Sequence, residues 1–335
     1  MKALVLQQTH TNPIMVQQAS PIVGDGEIKI RLHAAGWNRR DHWIIHGKYP
    51  LIQTPVILGS DGCGVVEECP DNPDIIGQEV LICPSLYWGN NPLHQSSKFE
   101  ILGMPKNGTM AEEIVLPTEN VFLKPHHLQE EEAAAICLAG LTAWRALFTR
   151  ANLPHNNAKH MNILITGIGG STAIFALQFA KATGANVFVT SSSTQKIEKA
   201  VKLGANGGVL YTDRDWGKRL QKLCPAGFDI IIDSAGGEGF GTLVKLLGMG
   251  GRLVFFGGTQ GKWPEILPQY LFFKQVSLLA STMGSISEFQ DMCLFITKHQ
   301  IKPVLDSVYS FAEYETSLER LVHPDRFGKI ILQIE

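Results

Sequence analysis

The segment that most constrains this chain is residues 162–196. A buried-strand pattern, NILIT, runs straight into GIGGSTA and then into the helical pattern AIFALQFAKATG. Glycines let a backbone approach a pyrophosphate closely, and a helix start offers free N–H groups with positive dipole character. Counted from Gly167 and Gly169, the third fingerprint position holds Thr172; counted from Gly170, the pattern ends in Ala173. The turn residues Gly167, Gly169, Gly170, Ser171 and Thr172 are therefore candidate phosphate contacts. The competing reading is an ordinary tight turn between strand and helix. The next hundred residues argue against it: NVFVTS, GGVLY, DIIID, GRLVFFG and VSLLAS continue the β pattern, with helical stretches between most of them. Six such runs predict a doubly wound parallel sheet covered on both faces, a Rossmann domain in the α/β class.

The end of the second run selects the cofactor. Sheets that bind NAD place an Asp or Glu there, on the ribose 2′-hydroxyl. No acidic residue occurs between the glycine turn and Glu198. Instead Ser191, Ser192, Ser193 and Thr194 are followed by Lys196. Hydroxyls and a cation suit a 2′-phosphate, which a carboxylate repels. The expectation is NADPH, with Ser191, Ser192 and Lys196 among its contacts. The serines also suit capping of the next helix, and the two roles are compatible.

Before residue 126 the character is different. KIRLHAAG, CGVVEEC, QEVLIC and MAEEIVLP read as antiparallel strands, and residues 86–106 as a long polar loop. After Ser281 come a helix, the strand VLDSVYS, a helix and the strand GKIILQIE, a tail expected to rejoin the first domain. The domains are thus placed at 1–125 with 284–335, and at 126–283. With a formal net charge of −2 and no long basic run, a nucleic-acid partner is not expected. No apolar run reaches membrane-span length and no secretory pattern opens the chain, so a cytoplasmic location is expected. The six cysteines form no Cys-x-x-Cys pair and read as small buried thiols.

These segments resemble the medium-chain dehydrogenase/reductases, and among them the zinc-free quinone-oxidoreductase-like members. The resemblance is carried by AAGWNRRDHWIIHGKYP (34–50), PVILGSDGCGVVEE (55–68), NGTMAEEIVLP (107–117), EEAAAICLAGLTAWRAL (131–147), the phosphate turn, KLGAN (202–206), GGRLVFFGG (250–258) and GKIIL (328–332). It implies a GroES-like partial β-barrel domain with the substrate site, a Rossmann domain, and the cofactor in the cleft between them. Zinc-dependent members carry a Cys-His-Cys type catalytic site with an acidic neighbour. The corresponding places here are Asn38, Ser60 with Asp61, and Leu138, with Cys137 one residue away. Catalytic zinc takes three protein ligands and an open position, which this set does not offer. The four cysteines of the family's structural zinc lobe are also missing from 86–106. No metal is expected at either place.

Without a Lewis acid, a developing oxyanion depends on hydrogen-bond donors, which suits electron-poor acceptors such as quinones and α,β-unsaturated carbonyls. By the resemblance, Asn38 donates to substrate or nicotinamide ribose, and Asp41 orients its neighbours; Asp41 also suits a helix cap or a surface acid. Some relatives have a Tyr two residues beyond that Asp, where this chain has Trp43. Tyr49 is then a candidate proton donor, or an aromatic packed on Pro50. His42 and His46 are near, and solvent is a further proton source. Thr142 sits where the family has a Thr near the nicotinamide, or is a hydroxyl bonded within its helix. Tyr211 resembles a residue near the adenosine phosphate. Gly257 and Gly258 allow close passage by the nicotinamide ribose, or form a simple turn. Lys329 recurs in the family, with a structural role the first reading. The aromatics Tyr270, Phe272 and Phe273 read first as core, then as a substrate wall. The apolar run VSLLAS suits an edge strand that pairs in a homodimer. The sequence thus predicts a zinc-free, NADPH-dependent reductase of quinones or activated carbonyls. Its rival is a non-catalytic NADPH-binding sensor or structural protein.

Overall fold

The computed structural model describes residues 1–334. Two compact units are present, one made of Met1–Leu141 with the chain from Gly284 onward, the other of Thr142–Met283.

In the first unit, alternating burial along Glu27–Gly36 marks a central strand with one face on the core. It pairs antiparallel with Asp61–Glu68 on one side. On the other side it pairs with Glu113–Pro117 near its start and with Lys329–Gln333 near its end. Glu79–Ile82 and Val121–Leu123 extend the sheet beyond Asp61–Glu68. Leu305–Ser310 extends it beyond Lys329–Gln333, through a parallel pairing. A three-stranded sheet of Ile14–Gln17, Lys2–Leu6 and Val56–Ile57 adds further strands. The core includes Leu4, Ile30, Leu32, Ile44, Leu58 and Ile330. Helix α1, Arg39–Ile45, leaves the end of the central strand. Helix α2, Glu130–Trp144, contains the division between the units near its end. The expected division after residue 125 precedes this helix, where composition changes; most of α2 belongs to the first unit.

The stretch 86–106 is more ordered than a polar loop. Ser85–Leu86 pairs with Glu100–Ile101, and Trp88 is buried edge-on against Phe99, with ring centroids 5.3 Å apart. Its backbone crosses residue 59 closely: a Cβ on Gly103 would lie 2.6 Å from the carbonyl oxygen of Gly59, and one on Gly108, just beyond the stretch, 1.9 Å.

The second unit is a six-stranded parallel sheet. In chain order its strands are β1 (Asn162–Ile165), β2 (Asn186–Ser191), β3 (Gly207–Leu210), β4 (Phe228–Asp233), β5 (Leu247–Phe255) and β6 (Ser277–Ala280). Their spatial order is β3-β2-β1-β4-β5-β6, so the order reverses between β1 and β4. The run Ile163, Leu164 and Ile165 is fully buried, as a central strand covered on both faces requires. Helix α3, Ser171–Ala182, follows β1, and helix α4, Thr194–Lys202, follows β2. The aromatics Tyr270, Phe272 and Phe273 are not core as expected: Phe273 is 72% exposed and Phe272 58%. They lie on and just after a short helix, Gln269–Phe272, shortly before β6, which pairs with β5 alone.

Candidate active site

In the first unit, strand register brings three distant residues together. Gly36 lies directly across from Asp61 on one neighbour and from Ile331 on the other. Residues directly opposite share a face, as do residues two apart in a strand, so Lys329 and Asp61 approach each other over Gly36. A Cβ on Gly36 would lie 2.8 Å from Lys329 Cε and 3.0 Å from Asp61 Oδ2. The glycine therefore leaves the room in which Lys329 and Asp61 form an ion pair. Both side chains are buried, with 1% and 0% exposure.

Asn38 completes the cluster. Lys329 Nζ donates to Asn38 Oδ1 at 2.7 Å, and Asn38 Nδ2 donates to Asp61 Oδ2 at 2.7 Å. An ammonium only donates and a carboxylate only accepts, so these partners fix which end of the amide is oxygen. The backbone N–H of Leu138 donates to Asp61 Oδ1 at 2.6 Å, which ties α2 to the cluster.

Asp41 lies in the first turn of α1, and its Oδ2 accepts the backbone N–H of Asn38 at 2.8 Å. Its Oδ1 is buried with no hydrogen-bond partner. Burial pushes its carboxyl up to about 6, against the lowering pull of Arg40, the Asn38 amide and Lys329. The structure thus shows Asp41 as a cap at the start of α1. Tyr49 is half-buried against the core, with the Arg40 guanidinium carbon 5.1 Å from its ring centre. The Arg40 cation thus lies over the ring that packs on the core. His42 is pushed down to about 4, first by burial and then by His46, Arg39 and Lys48.

Arg40 is a residue that sequence reasoning missed. It is buried, and donates to Ser60 Oγ at 2.9 Å, to the carbonyl of Leu102 at 2.8 Å and to that of Met104 at 2.9 Å. Ser60 in turn donates to the Leu102 carbonyl at 2.7 Å. One cation thereby ties α1, Ser60 and the 102–104 chain together. Of the two arginines that follow Asn38, nothing in sequence hints that the second points inward.

The family's catalytic zinc does not fit these residues. Asn38 Oδ1 is engaged by an ammonium, Ser60 Oγ by a guanidinium, and Leu138 has no donor side chain. Cys137 faces the carbonyls of Gly62 and Ala133 at 3.7 Å, and burial raises its thiol well above the usual range. A single thiol facing two carbonyls does not make up a three-ligand zinc site. Among the described residues, no group of three or more His, Cys, Asp or Glu is arranged to hold a metal ion. All six cysteines are free and buried, as their spacing suggested.

In the second unit, the expected dinucleotide residues gather at the carboxyl ends of the strands, around the place where strand order reverses. This is where open parallel sheets bind ligands. Gly167 and Gly169 have φ of +64° and +120°, which side-chain-bearing residues rarely adopt. Gly170 differs: its φ is −73°, and a Cβ there would meet only the Gly167 carbonyl at 3.7 Å. Nothing in the protein requires a glycine at this helix start, and the space beside it is open. Gly258 likewise would have nothing within 4 Å of an added Cβ, whereas a Cβ on Gly257 would lie 2.4 Å from the Ser234 carbonyl. Gly257 thus serves close approach of the chain to itself. Ser171 and Thr172 form the first turn of α3.

Ser191 is buried; its hydroxyl donates to the Ile168 carbonyl at 3.4 Å and accepts the Ser193 N–H at 3.2 Å. It braces the glycine turn and the start of α4. Ser192 beside it is exposed, and Lys196 lies in the first turn of α4. Ser193 occupies the N-cap position of α4 without a side-chain capping bond. Tyr211 is exposed just beyond β3, its N–H bonded to the Ser191 carbonyl at 2.9 Å. Thr142 is buried in α2, one turn beyond Leu138. Asp233, which no sequence motif singles out, accepts the Thr166 hydroxyl at 2.5 Å and the Gly236 N–H at 2.8 Å. It joins the ends of β1 and β4 at the reversal, and burial raises its carboxyl from the ordinary value. The residues present fit a nicotinamide dinucleotide.

Residues 24–126 match the family model of the alcohol dehydrogenase GroES-like domain, and residues 172–298 that of zinc-binding dehydrogenase. A zinc-type alcohol dehydrogenase-like protein, YogA, from Leptosphaeria maculans is 36% identical over 94% of this chain and 93% of its own. Crotonyl-CoA reductase from Streptomyces collinus is 30% identical over 83% of this chain and 68% of its own. The crystal structure of an NAD-dependent alcohol dehydrogenase superposes with a TM-score of 0.91 at 32% identity, over 100% of both chains. With both domain types present in one chain, in the order and fold described above, this protein belongs to the medium-chain dehydrogenase/reductase superfamily of oxidoreductases.

Proposed function

We propose that this chain is an NADPH-dependent reductase of a quinone or an α,β-unsaturated or otherwise activated carbonyl, and that it works without zinc. The observation that carries this reading is the Asn38–Asp61–Lys329 cluster, a charge-balanced hydrogen-bond network at the place where zinc-dependent members of the family hold a metal. Such a network offers hydrogen-bond polarisation in place of a Lewis acid, which is enough for electron-poor acceptors. The relative named crotonyl-CoA reductase supports an acceptor with a conjugated carbonyl.

Ser192 and Lys196 would hold the 2′-phosphate, since the chain carries no acid at the end of β2. Gly167, Gly169 and Gly170 with the start of α3 would hold the pyrophosphate, and Tyr211 would flank the adenosine. When bound, reduced nicotinamide supplies the hydride. Asn38 would donate to the acceptor's oxygen, Asp41 would hold the Asn38 backbone, and Thr142 would approach the nicotinamide. Tyr49, packed on Arg40, and solvent are the proton sources to compare. The exposed Phe272 and Phe273 beside β6, which pairs on one side only, support a homodimer closed through that edge.

The test is steady-state kinetics of purified protein with NADPH or NADH and a panel of quinones, enones and enoyl thioesters, alongside metal analysis. NADPH-dependent turnover without bound zinc is the expected result. A preference for NADH, or one tightly held zinc per chain, overturns the corresponding part. Tight NADPH binding with no turnover favours the sensor reading.

A further inference from the structure

The Asn38 cluster raises a question of charge. Asp61 is a fully buried carboxylate, and a buried carboxylate persists only with compensation. In a metal site that compensation comes from the cation. Here it comes from Lys329, brought in by the last strand of the chain.

The ammonium does more than balance Asp61. Asn38 has four hydrogen-bonding positions on its amide, two lone pairs and two N–H bonds. Lys329 takes the oxygen and Asp61 takes one N–H. The second N–H of Nδ2 has no acceptor among the described residues, and Asn38 keeps 6% exposure. Donation of one N–H to the Asp61 carboxylate weakens the other as a donor, and a cation on the amide oxygen draws electron density from the nitrogen and offsets that loss. Asn38 also cannot flip, because a flip would set its NH2 against an ammonium and its oxygen against a carboxylate.

We propose that Lys329 is the resident cation of this site, and that it acts as a positioning residue through Asn38, locking and polarising the amide so that its free N–H serves the acceptor's oxygen. The inference rests on the zinc-free reductase reading above and adds to it the source of the electrophile's strength. Lys329 itself is not placed in contact with the acceptor.

The experiment compares wild type with Lys329→Met, Asp61→Asn/Lys329→Met, Asn38→Ala and Asn38→Ala/Lys329→Met, using NADPH and the best acceptor of the panel. The Asp61→Asn/Lys329→Met variant removes both charges, so it keeps the test open if Lys329→Met alone does not fold. Both variants that lack Lys329 but keep Asn38 are expected to lose kcat by roughly 100-fold, the scale of one oxyanion donor. The KM for NADPH should stay within about threefold, as expected for an effect confined to the reacting oxygen. In the Asn38→Ala background, removing Lys329 should cost no further kcat, since groups that act as a unit are not additive.

Recovery of wild-type kcat in the charge-free double variant overturns the proposal, because Lys329 is then only a counter-charge. Additive losses from Lys329→Met and Asn38→Ala overturn the route through Asn38. Wild-type protein that reduces no acceptor overturns the reductase reading and this inference together, whereas an active wild type with an equally active Lys329→Met overturns this inference alone.

Discussion

Lys329 Nζ donates to Asn38 Oδ1 at 2.7 Å across 291 positions of sequence. The two residues meet because Lys329–Gln333 pairs beside the strand that ends at Gly36, two residues before Asn38 at the start of α1. Through this bond the last strand of the chain orients a side chain at the start of α1. The network also makes the site's charges interdependent, and that dependence can be measured in stability as well as in turnover.

Lys329→Met should destabilise the protein by about 3–5 kcal/mol, the usual result of removing one partner of a buried ion pair. The loss comes mainly from leaving Asp61 buried and uncompensated, so adding Asp61→Asn should recover part of it. Urea unfolding of the three proteins checks this. Equal losses in the single and double variants would contradict the ion-pair account.

Gly36→Ala places a methyl group 2.8 Å from Lys329 Cε and 3.0 Å from Asp61 Oδ2. The Lys329 stem can yield only by loosening its hold on Asp61. The expected cost is about 1–3 kcal/mol, typical of overpacking a buried site. Thermal melts report it, and an unchanged melting point would show that the pair has slack.

Asp41 gives a pH signature with a definite sign. Folding raises its carboxyl to about 6, first through burial. Unfolded, the group returns to about 4. Protonation therefore favours the folded state; that contribution is complete below about pH 4 and is lost as pH rises through about 6. Asp41→Asn, which keeps an acceptor for the Asn38 N–H, does not titrate. Its stability relative to wild type should rise across this window by roughly 1–3 kcal/mol. Denaturation at several pH values measures the difference, and a constant gap would refute the shift.

Gly170→Ala separates packing from binding. The position has φ of −73°, and a Cβ meets only one carbonyl at 3.7 Å. Unfolding free energy should change by less than about 1 kcal/mol, because reduced chain entropy offsets a poorer N-cap. NADPH affinity should fall by about tenfold or more if the backbone must approach the pyrophosphate. Fluorescence titration and thermal melts on the same samples decide it; unchanged affinity would remove Gly170 from the cofactor site.

The second unit is the more legible half. Strands such as NILIT and DIIID are too apolar for any but a central parallel position, and each is followed by a turn and a helix. Local pattern therefore identifies all six strands. The aromatic run before β6 misleads, because an apolar stretch looks alike whether it packs inside or waits at an exposed edge. The stretch 86–106 reads as a loop in sequence since its order comes from contacts between distant residues, such as Trp88 on Phe99 and Arg40 on the Leu102 and Met104 carbonyls, and not from periodicity. In the candidate site, Asn38 and Asp41 are legible from their motif, whereas the inward turn of Arg40 is not. Its partners are Ser60 and two backbone carbonyls beyond residue 100, and carbonyls leave no trace in sequence.

By itself, the sequence determined the two domain types, the glycine turn, the missing acid after β2 and the missing zinc ligands. The glycine turn and the missing acid are local facts of residue type and spacing, whereas the first domain's type and the places of the zinc ligands are what the family resemblance implies. The tertiary structure decided what stands in the ligands' place. Only the pairing of Asp61, Gly36 and Ile331 across three strands brings Lys329 over a glycine onto Asp61. Register is a long-range property, set by how whole strands bury their apolar faces. A lysine near the end of a chain becomes the cation of a site near its beginning for that reason.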